Sequence, residues 1–190
     1  MSAVRAADPA ELEVVVDILV AAFQDDPLGR WLFPDDERRR TTAHPAYFRA
    51  MAETGFADGW VDVATDLSAT MIWTAAGADI RHAGPIPGLD RAEQTRLDVV
   101  LDLLAEREPS DKHAYAQYLG VVPGNQRTGA GGRVFRYGLD RCDAEVVPAY
   151  LEASSADSAR LYRRLGFRDH GPAFAPVSGP PVFPMWRAAG

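Results

Sequence analysis

One cysteine and four histidines in 190 residues leave several kinds of protein out of reach. A lone Cys142 cannot build an internal disulfide framework or a cysteine-rich zinc site. His44, His82, His113 and His170 show no metal-ligand spacing, so no metal is expected. No run approaches the roughly 18 consecutive apolar residues of a membrane span. The start, "MSAVRAADPAELE", lacks the basic opening and apolar run of a secretory signal. These absences predict a cytoplasmic protein with no membrane partner. Positive charge is also scarce: the formal net charge is −7, and Lys112 is the only lysine among 20 basic residues. Phosphate binding along a nucleic acid needs a basic surface, so nucleic acid is not expected as the main partner. An acidic balance suits a cationic small molecule and equally serves solubility alone.

What is present is ordinary globular material, 47% hydrophobic and 25% charged, long enough for a real core. Residues 1–190 read as a single domain without internal repeats. Asp8, Pro9 and Glu11 form a helix start with a capping-box pair, and Leu12, Val15, Val16, Leu19, Val20 and Phe23 follow as one buried stripe. "QDDPLGRWLFPDD" (24–36) breaks that pattern with two prolines and a glycine, which predicts a loop or short turn with exposed aromatics. A second helix is expected over 37–54, ending at Gly55, and two strands with a turn near Asp66 over 59–75. A Gly/Pro-rich connection (76–88) leads to a helix carrying Leu97, Val100, Leu101 and Leu104 on one face and stopped by Pro109. Then come a strand over 112–122, a helix over 131–141, the strand "VPAYLEAS", and the helix "SADSARLYRRLGF" with Gly166 as its C-terminal cap. The prolines of "PPVFPMWR" predict an edge strand. Strands separated by helices in the second half indicate an α/β sheet with one parallel step spanning 112–155.

The turn "NQRTGAGG" (125–132), between strand and helix, carries the most chemical information. A phosphate-binding Walker loop needs Lys and then Ser or Thr after its last glycine, whereas Gly131 is followed by Gly132 and Arg133. A dinucleotide fingerprint needs a third glycine and an early place in the chain. Gln126-Arg127-Thr128-Gly129-Ala130-Gly131 fits a third pattern. Successive N–H groups of a tight turn, joined to the unpaired donors of a helix start, make an anion nest for a pyrophosphate. Glycine is needed wherever a Cβ would stand in the way. A glycine-rich turn without any ligand is the alternative.

This hexapeptide resembles the acyl-CoA signature Q/R-x-x-G-x-G/A of the GCN5-related N-acetyltransferase (GNAT) superfamily. Downstream, "PAYLEASSADSARLYRRLGF" is similar to that family's strand, turn, helix and closing Y-x-x-x-G-F, in the right order and at the right separation. Over residues 97–168 the chain is most similar to puromycin N-acetyltransferase-like antibiotic acetyltransferases, and "AAFQDDP" and "ATMIWT" resemble them more loosely. The resemblance implies a GNAT fold, a mixed central sheet of about six to seven strands flanked by helices, with the pyrophosphate turn after the fourth main strand. It implies acetyl-CoA as co-substrate, without a metal. The activity implied is direct transfer, in a ternary complex, to a primary amine of a small molecule, such as an antibiotic in resistance or self-protection. Alternatives are a protein N-terminal or lysine acetyltransferase, and a non-catalytic acyl-CoA sensor; the protein would act as a monomer or homodimer.

By the same resemblance, the main chain of Leu119 and Val121 pairs with the acetyl carbonyl and pantetheine arm where the strand splays. The N–H groups of Gln126, Arg127, Thr128, Gly129, Ala130, Gly131 and Gly132 hold the pyrophosphate, with Arg127 and Arg133 as further contacts or as solvent-facing residues. Tyr162 matches the tyrosine that protonates the departing thiolate, a task a positioned phenol suits; otherwise its ring is core packing. Ser158 stands where many relatives carry an Asn that ties down the pantetheine. Tyr115 and Gln117 stand where relatives place a basic Glu or His, and neither serves as a base at pH 7. That leaves Glu152 on the neighbouring strand, a water relay, or an amine needing no base; Glu152 is equally readable as structural. Asp25, Asp26, Trp31, Phe33 and Trp73 are the candidates for an acceptor pocket taking a cationic, partly aromatic amine.

Overall fold

The computed structural model describes residues 3–75 and 84–190. The frame is a seven-stranded mixed sheet in the order β1-β2-β3-β4-β5-β7-β6. β1 (Val4–Ala6), β2 (Gly59–Ala64), β3 (Ala69–Thr74) and β4 (Ala114–Val121) pair antiparallel in succession. β5 (Ala149–Ala153) runs parallel to β4, and β7 (Phe183–Arg187) lies antiparallel between β5 and the two-residue β6 (Arg168–Asp169). The helices are α1 (Leu12–Ala22), α2 (Pro27–Leu32), α3 (Asp36–Arg38), α4 (His44–Asp58), α5 (Arg91–Ala105), α6 (Ala130–Ala144) and α7 (Ala156–Arg164). This is the mixed sheet with flanking helices that the sequence predicts, with the glycine turn directly after β4. No helix among the described residues is long and apolar enough to cross a membrane.

Two cores lie on the two faces of the sheet. Met71 and Trp73 of β3 pack with Val134, Phe135 and Leu139 of α6, while Ile72 between them packs with Val15, Leu19 and Met51 of α1 and α4. β3 is therefore buried on both faces, which explains why "ATMIWT" lacks a polar alternation. On the α6 side the approach is close: a Cβ on Gly138 would sit 2.3 Å from Nε1 of the fully buried Trp73. Gly138→Ala is expected to destabilise the protein by about 1–3 kcal/mol through overpacking, read as a lower midpoint in urea.

The start of α1 is as expected: the Asp8–Glu11 capping box closes a 3-10 turn (Pro9–Glu11) ahead of the buried stripe. Three expectations need correction. The 24–36 segment is not an open loop, because the Asp26 carboxylate accepts the Gly29 N–H at 2.8 Å and caps α2, and Phe33 is buried rather than exposed. The second helix does not end at Gly55. A π-helical turn (Arg39–Ala43) joins α3 to α4, which runs to Asp58, and Gly55 is buried within it where a Cβ would meet Ile72 at 2.5 Å. Gly55 serves close helix–sheet contact, not a cap.

The third correction concerns β7, which is not an edge strand. The Pro184 carbonyl accepts the His170 N–H on the β6 side, so the proline nitrogen faces the same side, where β6 ends. Pro184 therefore costs no bond to β5. Of the connection expected at 76–88, residues 76–83 lie outside the described residues.

Candidate active site

The segment after β4 turns with positive φ at Gly124 (+91°), Arg127 (+63°) and Gly129 (+85°), the last serving as N-cap of α6 without any side-chain cap. Among the described residues, no acceptor meets the N–H groups of Gln126 through Gly132. Thr128 and Arg133 brace the turn instead: the Thr128 hydroxyl donates to the Asn125 carbonyl at 2.7 Å, and Arg133 donates to the Thr128 carbonyl at 3.3 Å. A row of unpaired donors at a helix start, exposed from Gln126 to Gly129, fits a pyrophosphate. The two glycines serve it differently. Gly129 supplies the left-handed backbone, whereas Gly131 lets α6 lie against β4, since its Cβ would come 2.8 Å from Val121 Cγ2.

Beside the turn, the parallel pair opens. Ala114↔Ala149 and Tyr115↔Tyr150 are its only register pairs among the described residues, so Ala116–Val121, including Leu119 and Val121, run on without a β5 partner. β4 also bulges on its other edge: Ile72 pairs with Tyr118 and Trp73 with Ala116, leaving Gln117 as the extra residue.

A cleft of about 110 Å³ lies over this opening, lined by Tyr115, Gln117, Tyr118 and Leu119 of β4, and by Glu152 and Ser154. Tyr162 of α7 and Asp26 also line it, and its aromatic wall comes from Phe23, Phe33, His44, Tyr47 and Phe48. These rings form one connected cluster with Tyr118, for example Phe23–Phe48 at 5.1 Å and Phe48–Tyr118 at 5.6 Å between centroids. Among the described residues that line the cleft, none is Lys or Arg. Burial, with some help from Arg39, lowers the His44 pKa to about 4, so its ring is neutral at pH 7.

Glu152 sits at the junction. The Tyr115 phenol donates to its Oε2, while Oε1 is buried without a partner among the described residues. Burial pushes its carboxyl up to about 7, and the Tyr115 hydrogen bond holds it from rising further. Tyr162 packs its ring against Phe135 at 5.2 Å and Phe167 at 6.1 Å. Among the described residues, nothing accepts its O–H. Burial, and secondarily Asp26, raises its pKa, which keeps the phenol protonated at neutral pH.

The other sequence candidates scatter. Asp26 does line the cleft, but its carboxylate is engaged by Gly29 and by the Ser154 hydroxyl at 2.6 Å, and burial raises its pKa. Asp25 is outside the cleft, 89% exposed and paired with Arg30. Trp31 packs with the α1–α4 core, and Trp73 lies in the other core, stacked on Trp60 at 5.6 Å. Neither tryptophan lines the cleft. The Ser158 hydroxyl is spent within the α7 capping box, donating to the Ser155 carbonyl at 2.9 Å. Sequence reasoning missed His44, Tyr47 and Phe48; their i, i+3, i+4 spacing on one helix was the available signal. Among the described residues, no group of three or more His, Cys, Asp or Glu converges as a metal site.

No protein-family model matches the chain. Solved structures do. A Corynebacterium glutamicum protein described as histone acetyltransferase HPA2 and related acetyltransferase is 25% identical, with TM-score 0.71, covering 100% of this chain and 98% of its own. Arylalkylamine N-acetyltransferase 2 from Aedes aegypti aligns with TM-score 0.74 at 14% identity over 99% of each chain. A GNAT-family acetyltransferase from Brucella melitensis, solved with acetyl-CoA, aligns with TM-score 0.56 at 14% identity over 100% of this chain and 89% of its own. The chain has the fold of the GCN5-related N-acetyltransferases.

Proposed function

We propose that the chain, as one domain over residues 1–190, is an acetyl-CoA-dependent N-acetyltransferase acting in the cytoplasm on the primary amine of a compact, partly aromatic small molecule. The observation that carries this reading is the company kept in one cleft. A carboxylate oxygen (Glu152) and a phenol (Tyr162), neither with a hydrogen-bond partner among the described residues, both line it, beside the opening of β4 from β5. The turn amides of Gln126–Gly132 hold the pyrophosphate, and the main chain of Leu119 and Val121 meets the pantetheine and acetyl carbonyl.

The amine arrives as an ammonium and releases one proton to solvent. Its nitrogen lone pair attacks the thioester carbonyl carbon, forming the C–N bond, while Glu152 takes a second proton from nitrogen. The C–S bond then breaks, its electron pair leaves on sulfur, and the Tyr162 O–H protonates the thiolate. Solvent returns the proton from Glu152 to Tyr162, and the net products are the amide, free thiol and one proton. Both chemical groups come from the chain itself.

Acetylation of an amino-bearing antibiotic, in the manner of the puromycin N-acetyltransferase-like enzymes, is the favoured biological role. The aromatic wall and the likeness to an arylalkylamine N-acetyltransferase support a ring-bearing acceptor. A peptide N-terminus or lysine is the second reading, supported by the C. glutamicum match. The test is thiol release from acetyl-CoA with a panel of puromycin, other aromatic amines and peptides. Aromatic amines are expected to turn over fastest, and faster peptide acetylation would favour the second reading. Gly131→Asp is expected to abolish acetyl-CoA binding by calorimetry, because its Cβ collides with Val121 and its carboxylate adds negative charge at the helix start. Unchanged affinity in the folded variant would remove the pyrophosphate from this turn.

A further inference from the structure

Two buried acceptor oxygens in the cleft have no donor among the described residues: Oε1 of Glu152 and Oε1 of Gln117. A buried acceptor left unmade is costly, and such atoms in a native fold call for a missing partner. Gln117 is also the residue inserted by the β4 bulge, a device that re-aims a side chain. Among the described residues that line the cleft none is Lys or Arg, and the N–H groups of a ligand suit both oxygens.

We propose that Gln117 is a specificity-determining residue that, together with Glu152, seats the acceptor nitrogen and selects primary over secondary amines. This rests on the N-acetyltransferase reading of the same cleft. A neutral primary amine has two N–H groups and one lone pair. One N–H meets Gln117 Oε1, the other meets Glu152 Oε1, and the lone pair is directed at the thioester carbonyl. Attack forms C–N and breaks C–S; Glu152 takes one proton, the thiolate receives the Tyr162 proton, and the N–H on Gln117 stays with the product amide. A secondary amine has one N–H and leaves one of the two acceptors unpaired.

The experiment compares 2-phenylethylamine with its N-methyl derivative by thiol release in wild type, Gln117→Met and Gln117→Glu, with acetyl-CoA affinity measured by calorimetry. Wild type is expected to prefer the primary amine by roughly 10- to 100-fold in kcat/KM. Gln117→Met should lose most of that ratio, mainly through a higher KM for the primary amine, at unchanged acetyl-CoA affinity. Gln117→Glu should move the lower limb of the pH–rate profile upward, because two carboxylates sharing one seat do not both ionise. Should Gln117→Met fail to fold, the Gln117→Glu profile decides. An unchanged ratio in Gln117→Met, or an unshifted limb in Gln117→Glu, overturns the proposal while the N-acetyltransferase reading stands. Absence of thiol release by wild type with any amine overturns both.

Discussion

Glu152→Gln is expected to lower kcat for amine acetylation by about 10²- to 10⁴-fold, the usual contribution of a positioned base. The wild-type rate should rise with pH through about 7, where Glu152 loses its proton, and this limb should vanish in the variant. Stability should move the opposite way. Burial raises the carboxyl from its ordinary 4.5 to about 7, so the folded state holds this proton more tightly than the unfolded chain does. Its contribution is favourable below about 4.5 and is lost as pH climbs through 7. Gln carries no charge to bury and still offers Tyr115 an acceptor. The variant should therefore gain stability over wild type at pH 8, on the order of 1–3 kcal/mol, and little at pH 4. Calorimetric melting at the two pH values, beside single-turnover rates, checks both halves. Equal activity would return Glu152 to a structural role.

Local chemistry was the part of the fold most legible in the sequence. The Asp8–Glu11 box, the alternation at β2 and the glycine turn each depend on residues within a few positions of one another. Gly55 and Pro184 misled because their meaning is tertiary. Gly55 sits within a helix pressed on Ile72, and Pro184 turns its nitrogen toward a neighbour only two residues long. The cleft divides in the same way. Tyr162 and Glu152 could be singled out because a motif fixes the strand, turn and helix that carry them. The acceptor wall is assembled from Phe23 just past α1, from α2, α4, α5 and β4, and nothing local in "DDPLGRWLF" says that Asp25 and Trp31 turn away while Phe33 turns in. Trp73 illustrates the hazard. An aromatic on a strand looks available for a ligand until α6 closes over it at Gly138.

Tyr162→Phe is expected to lower kcat by about 10- to 1,000-fold with little change in acetyl-CoA affinity. The substitution is clean because the ring, wedged between Phe135 and Phe167, keeps its packing, and the hydroxyl has no partner among the described residues to strand. What disappears is the proton for the departing sulfur. A thiolate leaves fairly well unaided, which sets the effect toward the lower part of the range for acid catalysis. Burial holds the phenol protonated across the working range, so the variant should keep the Glu152-dependent limb near pH 7 and lose only amplitude. Glu152→Gln does the reverse, losing the limb itself, and the two profiles together separate acid from base. Rapid-quench kinetics guards against a slow release step that would mask the loss. If single-turnover rates match wild type, Tyr162 is packing and sulfur takes its proton from solvent.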